Sequence, residues 1–422
     1  MDLSRITVLL LTMLAISGCG SNGNDSGESG SGSSRSAANT VINGCDAKEV
    51  KAQTQNAFVY SVDDYDGEAY PVVQEILLDG AQELVQQGDL LLVSSASADS
   101  ELRVIRSQDF CTIDTLGDVS VPPNSMYFTA DGKLNVDHGG VGIYQYTVDQ
   151  IDASATCLID NATCNSFSES DIPGTACVAS EDAQPEIVVE DAFCVDAEGD
   201  VIASATCVLD DLNSLNFEAR YRTYYSSLDS EITEGILFQA SLSEGVAVSR
   251  LEQISDDPSA TATVLDVCGG QARALDRKGN ILFVAARGSG LYIVDVENKT
   301  KPKIITKYNP GTDYIVDVAV WENQLFAMGF SSLHIFDIAN ASAPSLEAVI
   351  EIDESLGIND SITANEGHVI VSIDGGALLM YKVGDTPDQS TLIPFNSAPK
   401  KAVYTDGAVF VTTDSGISKL SN

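Results

Sequence analysis

Two short apolar strands around a glycine-containing turn return along this chain about every forty-four residues. The clearest copy is Ile281–Val296 (ILFVAARGSGLYIVDV), and the outline recurs at Leu325–Ile338, Val369–Val383 and Val409–Leu420. Copies starting at 237, 281, 325 and 369 are spaced by 44, and the step to 409 is 40. A fixed period of that size, filled with strands, is the signature of a propeller or a similar closed array.

Upstream copies are looser: Leu91–Ile105, Leu134–Val148 and Leu237–Ile254. The seven starts 91, 134, 237, 281, 325, 369 and 409 predict seven blades, with an insertion in the long interval from 134 to 237. Each strand pair is preceded by an alternating segment such as Val316–Val320 and followed by another such as Lys303–Tyr308. That makes four strands per repeat, as one blade requires. A blade cannot cover its own two faces, so neighbouring blades must, and closing the ring removes its terminal edges. The expectation is therefore an all-β, seven-bladed β-propeller of four-stranded blades with a cysteine-rich acidic insertion. The last copy ends after its third strand, so Tyr70–Leu77 is expected to complete that blade and close the ring between N- and C-terminal strands. Ala57–Val62 is expected beside it; the alternative is an eighth blade built from residues 41–80.

Leu291–Val296 (LYIVDV) followed by Lys301-Pro302-Lys303, and Leu333–Ile338 (LHIFDI) followed by Ala343-Pro344, resemble the LVIVD repeat of bacterial and archaeal surface propellers. Leu379–Val383 departs from it, with Lys382 in place of Asp. The resemblance is specific over residues 270–345 and absent from the insertion. It implies a β-propeller on the cell surface, and that family has no common catalytic residues to carry over. Asp295 and Asp337 recur because Asp at a strand end accepts backbone N–H bonds in the following turn.

Residues 1–19 read as a lipoprotein signal peptide: Arg5, an apolar Val8–Ile16 run, then Ile16-Ser17-Gly18-Cys19. This tetrapeptide resembles a bacterial lipobox, which implies diacylation of Cys19; the alternative is an ordinary signal peptide. Residues 20–44 read as a flexible Gly/Ser linker, whose reach of roughly 25 Å would hold a domain clear of a bilayer. Gly20 carries no inner-membrane retention signal, so the expected location is the outer membrane or cell surface, with the lipid as the membrane anchor. The propeller is read as 45–422, interrupted by 149–225.

Eight cysteines remain: Cys45, Cys111, Cys157, Cys164, Cys177, Cys194, Cys207 and Cys268. An even count in an exported chain points to disulfides. None lies in a CxxC and the chain has three histidines, which argues against structural zinc. Cys157 with Cys164 and Cys177 with Cys194 are close enough to staple small loops, leaving the fifth insertion cysteine to reach Cys45, Cys111 or Cys268. The Ala-Ser-Ala-Thr-Cys shared by 153–157 and 203–207 would place Cys157 and Cys207 in equivalent settings.

The formal net charge is −40, and no Lys or Arg occurs between Lys133 and Arg220. Such a field repels nucleic acid and anionic lipid. It reads as a solvated acidic surface, or as calcium binding at Asp196, Glu198 and Asp200 or at Asp63, Asp64 and Asp66; neither cluster completes an EF-hand loop. His138 beside Gly139-Gly140 is the one loop histidine kept as a candidate; His334 and His368 fall in other blades. No nucleophile elbow occurs, and Arg287–Gly290 joins strands rather than opening a helix. The reading is a non-enzymatic scaffold binding an envelope protein or a glycan, with 149–225 on the binding face. The alternatives are a hydrolase or lyase using channel-mouth carboxylates, for which Asp317 and Asp360 lack a third member, and a calcium-dependent adhesin.

Overall fold

The computed structural model describes residues 40–421 apart from 52–56, 67–69, 97–100, 117–122, 149–155, 160–161, 167–174, 181–187, 190, 198, 210–215, 223–226, 243–244, 255–262, 269–270, 300 and 312. Cys19, Glu198 and the lipobox reading lie outside the described residues.

Seven antiparallel sheets form seven blades. The second strand of each starts within a residue of the positions the repeat marks: Leu90–Ser95, Lys133–Asp137, Ile236–Ser241, Ile281–Ala285, Gln324–Gly329, His368–Ile373 and Ala408–Thr413. We number the blades 1 to 7 in that order. Innermost strands of successive blades touch all the way round, the last returning to the first.

Apolar burial follows the same rule. Seven separate clusters of buried side chains each join two neighbouring blades; one seals blade 7 to blade 1 with Phe410, Leu91 and Ile76. Among the described residues the seam between blades 2 and 3 is the thinnest, with Ile143, Ile232, Leu237 and Ile254 as its buried members. The glycine of the repeat has a steric cause. Gly245 and Gly290 open third strands at φ +85°, and a Cβ there would collide with the carbonyl oxygens of Leu265 and Tyr308 on the fourth strands. Glycine meets both demands at once.

Val72–Leu77 pairs antiparallel with Gly416–Ser421 and completes blade 7, as the unfinished last copy requires. The expectation for Ala57–Val62 is wrong. Ala57–Tyr60 lies parallel to residues 349–352 on blade 5, as a fifth strand. Thr40–Asn43 does the same on blade 3 and Glu49–Lys51 on blade 4, and Tyr65 bridges Leu392 on blade 6. The N-terminal segment is thus a strap that crosses four blades before closing the fifth, covering outer edges that would otherwise stay unpaired. Among the described residues the strap starts with Thr40–Asn43, inside the stretch read as linker.

The insertion also ends sooner than residue 225. Asn216–Tyr221 is the fourth strand of blade 2, so the inserted segment sits within that blade, after Ile143–Thr147. It contains two two-stranded sheets, Thr163–Ser166 with Ala192–Val195 and Thr175–Ala179 with Ala205–Leu209. The disulfides are Cys45–Cys268, Cys111–Cys157, Cys164–Cys207 and Cys177–Cys194. Cys177–Cys194 agrees with the short-loop expectation; Cys157–Cys164 does not form. Cys164 and Cys194 are neighbours across one sheet and Cys177 and Cys207 across the other, so each bond runs from sheet to sheet and clamps them face to face. Cys157 instead ties the insertion to blade 1, so Cys157 and Cys207 are not equivalent.

Candidate functional site

The innermost strands surround a cavity of about 740 Å³ at the centre of the ring. Every blade supplies a polar group to its wall: Glu83, Tyr127, Asp229, Asp276, Asp317, Asp360 and Lys401 in blade order. Glu231, Arg273 and Lys400 also line it. The carboxylate cluster that Asp317 and Asp360 left incomplete in the sequence therefore exists, with Glu83, Asp229 and Asp276 as its further members.

Three of these carboxylates are structural ties. Asp229, Asp276 and Asp317 each accept the N–H of the following residue on Oδ1, at 2.8, 2.6 and 2.8 Å. Their Oδ2 atoms accept N–H groups from the next blade, from Leu275 at 2.8 Å, Val320 at 2.6 Å and Ile362 at 3.1 Å. Uncharged groups continue the pattern elsewhere: Asn124 donates to the Ser227 carbonyl, Ser361 to Lys400 and Thr412 to Gln82. These six junctions are thus pinned by a side chain bonded to neighbouring backbone.

Burial sets the electrostatics. It pushes Asp229 and Asp276 up to about 7, although backbone N–H bonds oppose the shift. Glu83 is raised for the same reason, with Lys401 opposing. Burial alone would lower Lys401, but the carboxylates of Glu83, Asp317, Asp229 and Asp360 hold it above its ordinary value. These groups line the channel yet sit deep among protein atoms. Lys401 therefore stays an ammonium, a poor nucleophile and a good hydrogen-bond donor.

A raised carboxylate pKa has a definite sign in stability. The folded chain holds protons on Asp229 and Asp276 that the unfolded chain releases between roughly pH 4 and pH 7. Stability from these groups is fullest below that window and is lost as pH rises through about 7. Melting temperature is expected to climb as pH falls from about 8 to about 5.5, and Asp276→Asn to flatten that slope. An unchanged slope in Asp276→Asn and Asp229→Asn would refute the assignment.

The histidines do not join this site. His138 is buried, edge-on to Tyr144 with ring centroids 5.0 Å apart. His368 stacks on Tyr404 at 3.7 Å. His334 belongs to a buried relay in blade 5 that the sequence did not reveal. Tyr308 bonds its Nδ1 at 3.1 Å, its Nε2 meets Ser332 Oγ at 2.7 Å, and Ser332 donates to Asp313. With the serine proton on the carboxylate side, Nε2 is the donor to Ser332 and Nδ1 accepts from Tyr308. That is the reverse of nucleophile activation, in which histidine takes the serine proton.

The calcium candidates cap turns. Asp64 accepts the Ser61 N–H at 2.8 Å, and Asp196 accepts the Asp200 N–H at 2.8 Å. Among the described residues, neither cluster brings three ligand atoms within 4.8 Å of one another. The sulfurs of Cys164, Cys177, Cys194 and Cys207 do lie that close, but as two disulfides they lack the thiolates that bind metal.

The strand ends of blades 4 and 5 carry a sequence likeness. Residues 269–310 and 314–350 match the family model described as the LVIVD repeat. Two of the blades thus match the LVIVD repeat. In both, the terminal Asp of the LVIVD segment caps the turn: Asp295 accepts from Glu297 N–H at 2.8 Å and Asp337 from Ala339 N–H at 2.7 Å. Asp266 does the same for Cys268 at 2.8 Å, in a blade outside the LVIVD match. No curated protein matches the chain. Among solved structures, Saccharomyces cerevisiae Sqt1 is 9% identical over 84% of this chain and 99% of its own, with a TM-score of 0.53. The computationally designed Ika8 protein is 10% identical over 83% of this chain and 98% of its own, at 0.51. Both likenesses are of fold alone.

Proposed function

We propose that the chain is a non-enzymatic scaffold, held at the bacterial outer membrane or cell surface by a lipid on Cys19, that binds an envelope glycan in the central channel. The cavity of about 740 Å³ carries this reading. Its wall mixes donors (Arg273, Lys400, Lys401) with acceptors (Glu83, Asp360) and the aromatic rings of Tyr127 and Phe128. Sugar hydroxyls both donate and accept, and their ring faces pack on aromatic side chains, so a mixed wall of this size suits them. Acid–base chemistry finds less support, because Asp229, Asp276 and Asp317 are committed to backbone N–H groups.

The test is titration of the purified chain with soluble envelope polysaccharide fragments. Lys401→Met is expected to weaken binding by at least roughly tenfold, the order of one lost charge-assisted hydrogen bond. Deletion of 158–209 is expected to leave binding in place. A second reading, an envelope protein docked on the insertion, rests on that segment being a separate folded unit bonded to the ring; it wins if the deletion alone abolishes capture of a partner. New reducing ends released during the titration would establish the hydrolase or lyase instead. A melting temperature lowered by a calcium chelator would favour the adhesin.

A further inference from the structure

Four disulfides hold this chain, and one of them has an arginine against both of its sulfurs. Cys111 opens the outer strand of blade 1, and Cys157 stands at the entrance to the insertion, whose Leu158 N–H donates to the Thr112 carbonyl at 2.8 Å. Among the described residues this is the covalent bridge between insertion and ring. Cys164, Cys177, Cys194 and Cys207 are buried at 0–2% exposure, Cys111 and Cys157 are half-buried, and in the Cys45–Cys268 pair Cys45 is exposed and Cys268 half-buried.

A guanidinium sits on this bond. Arg106 Nη2 lies 3.3 Å from Cys111 Sγ and 3.2 Å from Cys157 Sγ. Asp109 fixes its orientation, at 2.8 Å to Nε and 2.6 Å to the same Nη2. The Asp109 carboxylate, 3.8 Å from Cys157 Sγ, offsets part of the charge. Lys419 Nζ then adds a second cation, bonded to the carbonyls of Ser107 and Gln108 in the same turn. Asp406 Oδ2, accepting from Ser107 Oγ at 2.6 Å on that turn, balances Lys419, so the guanidinium in contact with both sulfurs is what marks this bond. A neutral disulfide gains little from such a contact, but a thiolate gains a great deal.

We propose that Cys111–Cys157 is a thiol-exchange site, built to be opened by a dithiol reductant and to release the insertion from blade 1. The thiolate of the reductant bonds to one sulfur, the S–S bond breaks, and the electron pair leaves on the other sulfur as a thiolate paired with Arg106. The second thiol of the reductant, deprotonated, attacks the mixed disulfide, expels the remaining cysteine thiolate and leaves the reductant as a disulfide. Two electrons pass from the reductant to the protein. The insertion keeps its own Cys164–Cys207 and Cys177–Cys194 bonds throughout.

The experiment equilibrates the full chain in graded dithiothreitol redox buffers, traps thiols by alkylation, and maps the peptides. Cys111–Cys157 is expected to open at a less reducing ratio than either buried pair. Arg106→Gln is expected to make it about tenfold harder to reduce, equivalent to about 30 mV. A purely structural arginine predicts the opposite, because loosening the turn would ease reduction. Arg106→Lys should restore most of the wild-type value. Opening together with or after the buried pairs, or an Arg106→Gln shift of zero or reversed sign, overturns the proposal. Should Arg106→Gln fail to fold, the alkylation rate of Cys157 against pH in Cys111→Ser decides. A midpoint clearly below the ~8.5 of a free cysteine supports the site, and one at or above it sinks it.

Discussion

A chain lacking residues 40–78 is expected to lose cooperative folding, although it keeps 27 of the 28 blade strands. The missing strand, Val72–Leu77, is the fourth of blade 7. Its removal strips Ile76 and Leu78, each 5% exposed, from the seam with Phe410 and Leu91, and leaves the edge of Gly416–Ser421 bare. Truncating one buried isoleucine typically costs about 2–5 kcal/mol. Two such losses plus a broken ladder approach the roughly 5–15 kcal/mol that holds a whole domain. The freed edge is also a template for aggregation. Thermal denaturation followed by circular dichroism, with sedimentation for association state, reads the outcome. Adding a peptide of residues 68–79 should restore part of the transition. A truncated monomer that melts within a few degrees of the full chain would show that the ring does not depend on this closure.

Removing both buried disulfides, by serine at Cys164, Cys177, Cys194 and Cys207, is expected to unfold the insertion and spare the ring. The cluster at its centre consists of those four half-cystines, with Ile159, Ala162, Val189, Ala192, Ile202 and Ala205 only partly buried around them. A segment that small rarely holds itself together by apolar burial alone. Each lost bond costs about 2–5 kcal/mol, so cleavage by a broad-specificity protease within 158–209 should accelerate by roughly a hundredfold or more. The blade transition should stay where it was. Equal cleavage rates, or a ring that melts with the insertion, would contradict the separation of the two.

The ring was legible because its cause repeats. Most second strands are apolar on both faces, Lys133–Asp137 being the exception with Lys133, Asn135 and Asp137 on one face. Glycine recurs where a third strand begins under a neighbouring carbonyl, as at Gly245 and Gly290. The strap was not legible. Thr40–Asn43, Glu49–Lys51 and Ala57–Tyr60 are three or four residues long, and Val41 and Val59 remain about 60% exposed. Such strands exist because the blades offer edges, a property of the assembled ring. The channel carboxylates escaped for another reason. Asp229, Asp276 and Asp317 do not keep the 44-residue step, and a bulge between Ile315 and Asp317 shifts the register of blade 5. Glu83 and Lys401 meet only across the closed ring. Disulfide pairing depended on how two small sheets stack, which spacing along the chain does not encode.

The strap also decides how the molecule answers to a pull. Force applied ahead of Thr40 first meets the parallel pairing of Thr40–Asn43 with residues 263–266. Peeling can proceed for only a few residues before it reaches Cys45, which is bonded to Cys268. From there the tension passes into the backbone of the chain between blades 3 and 4. The strands on blades 4 and 5, and the closing strand on blade 7, lie beyond that bond, which takes up load ahead of them. The chain can therefore be dragged by its N-terminal end without loosening the latch that keeps the ring shut.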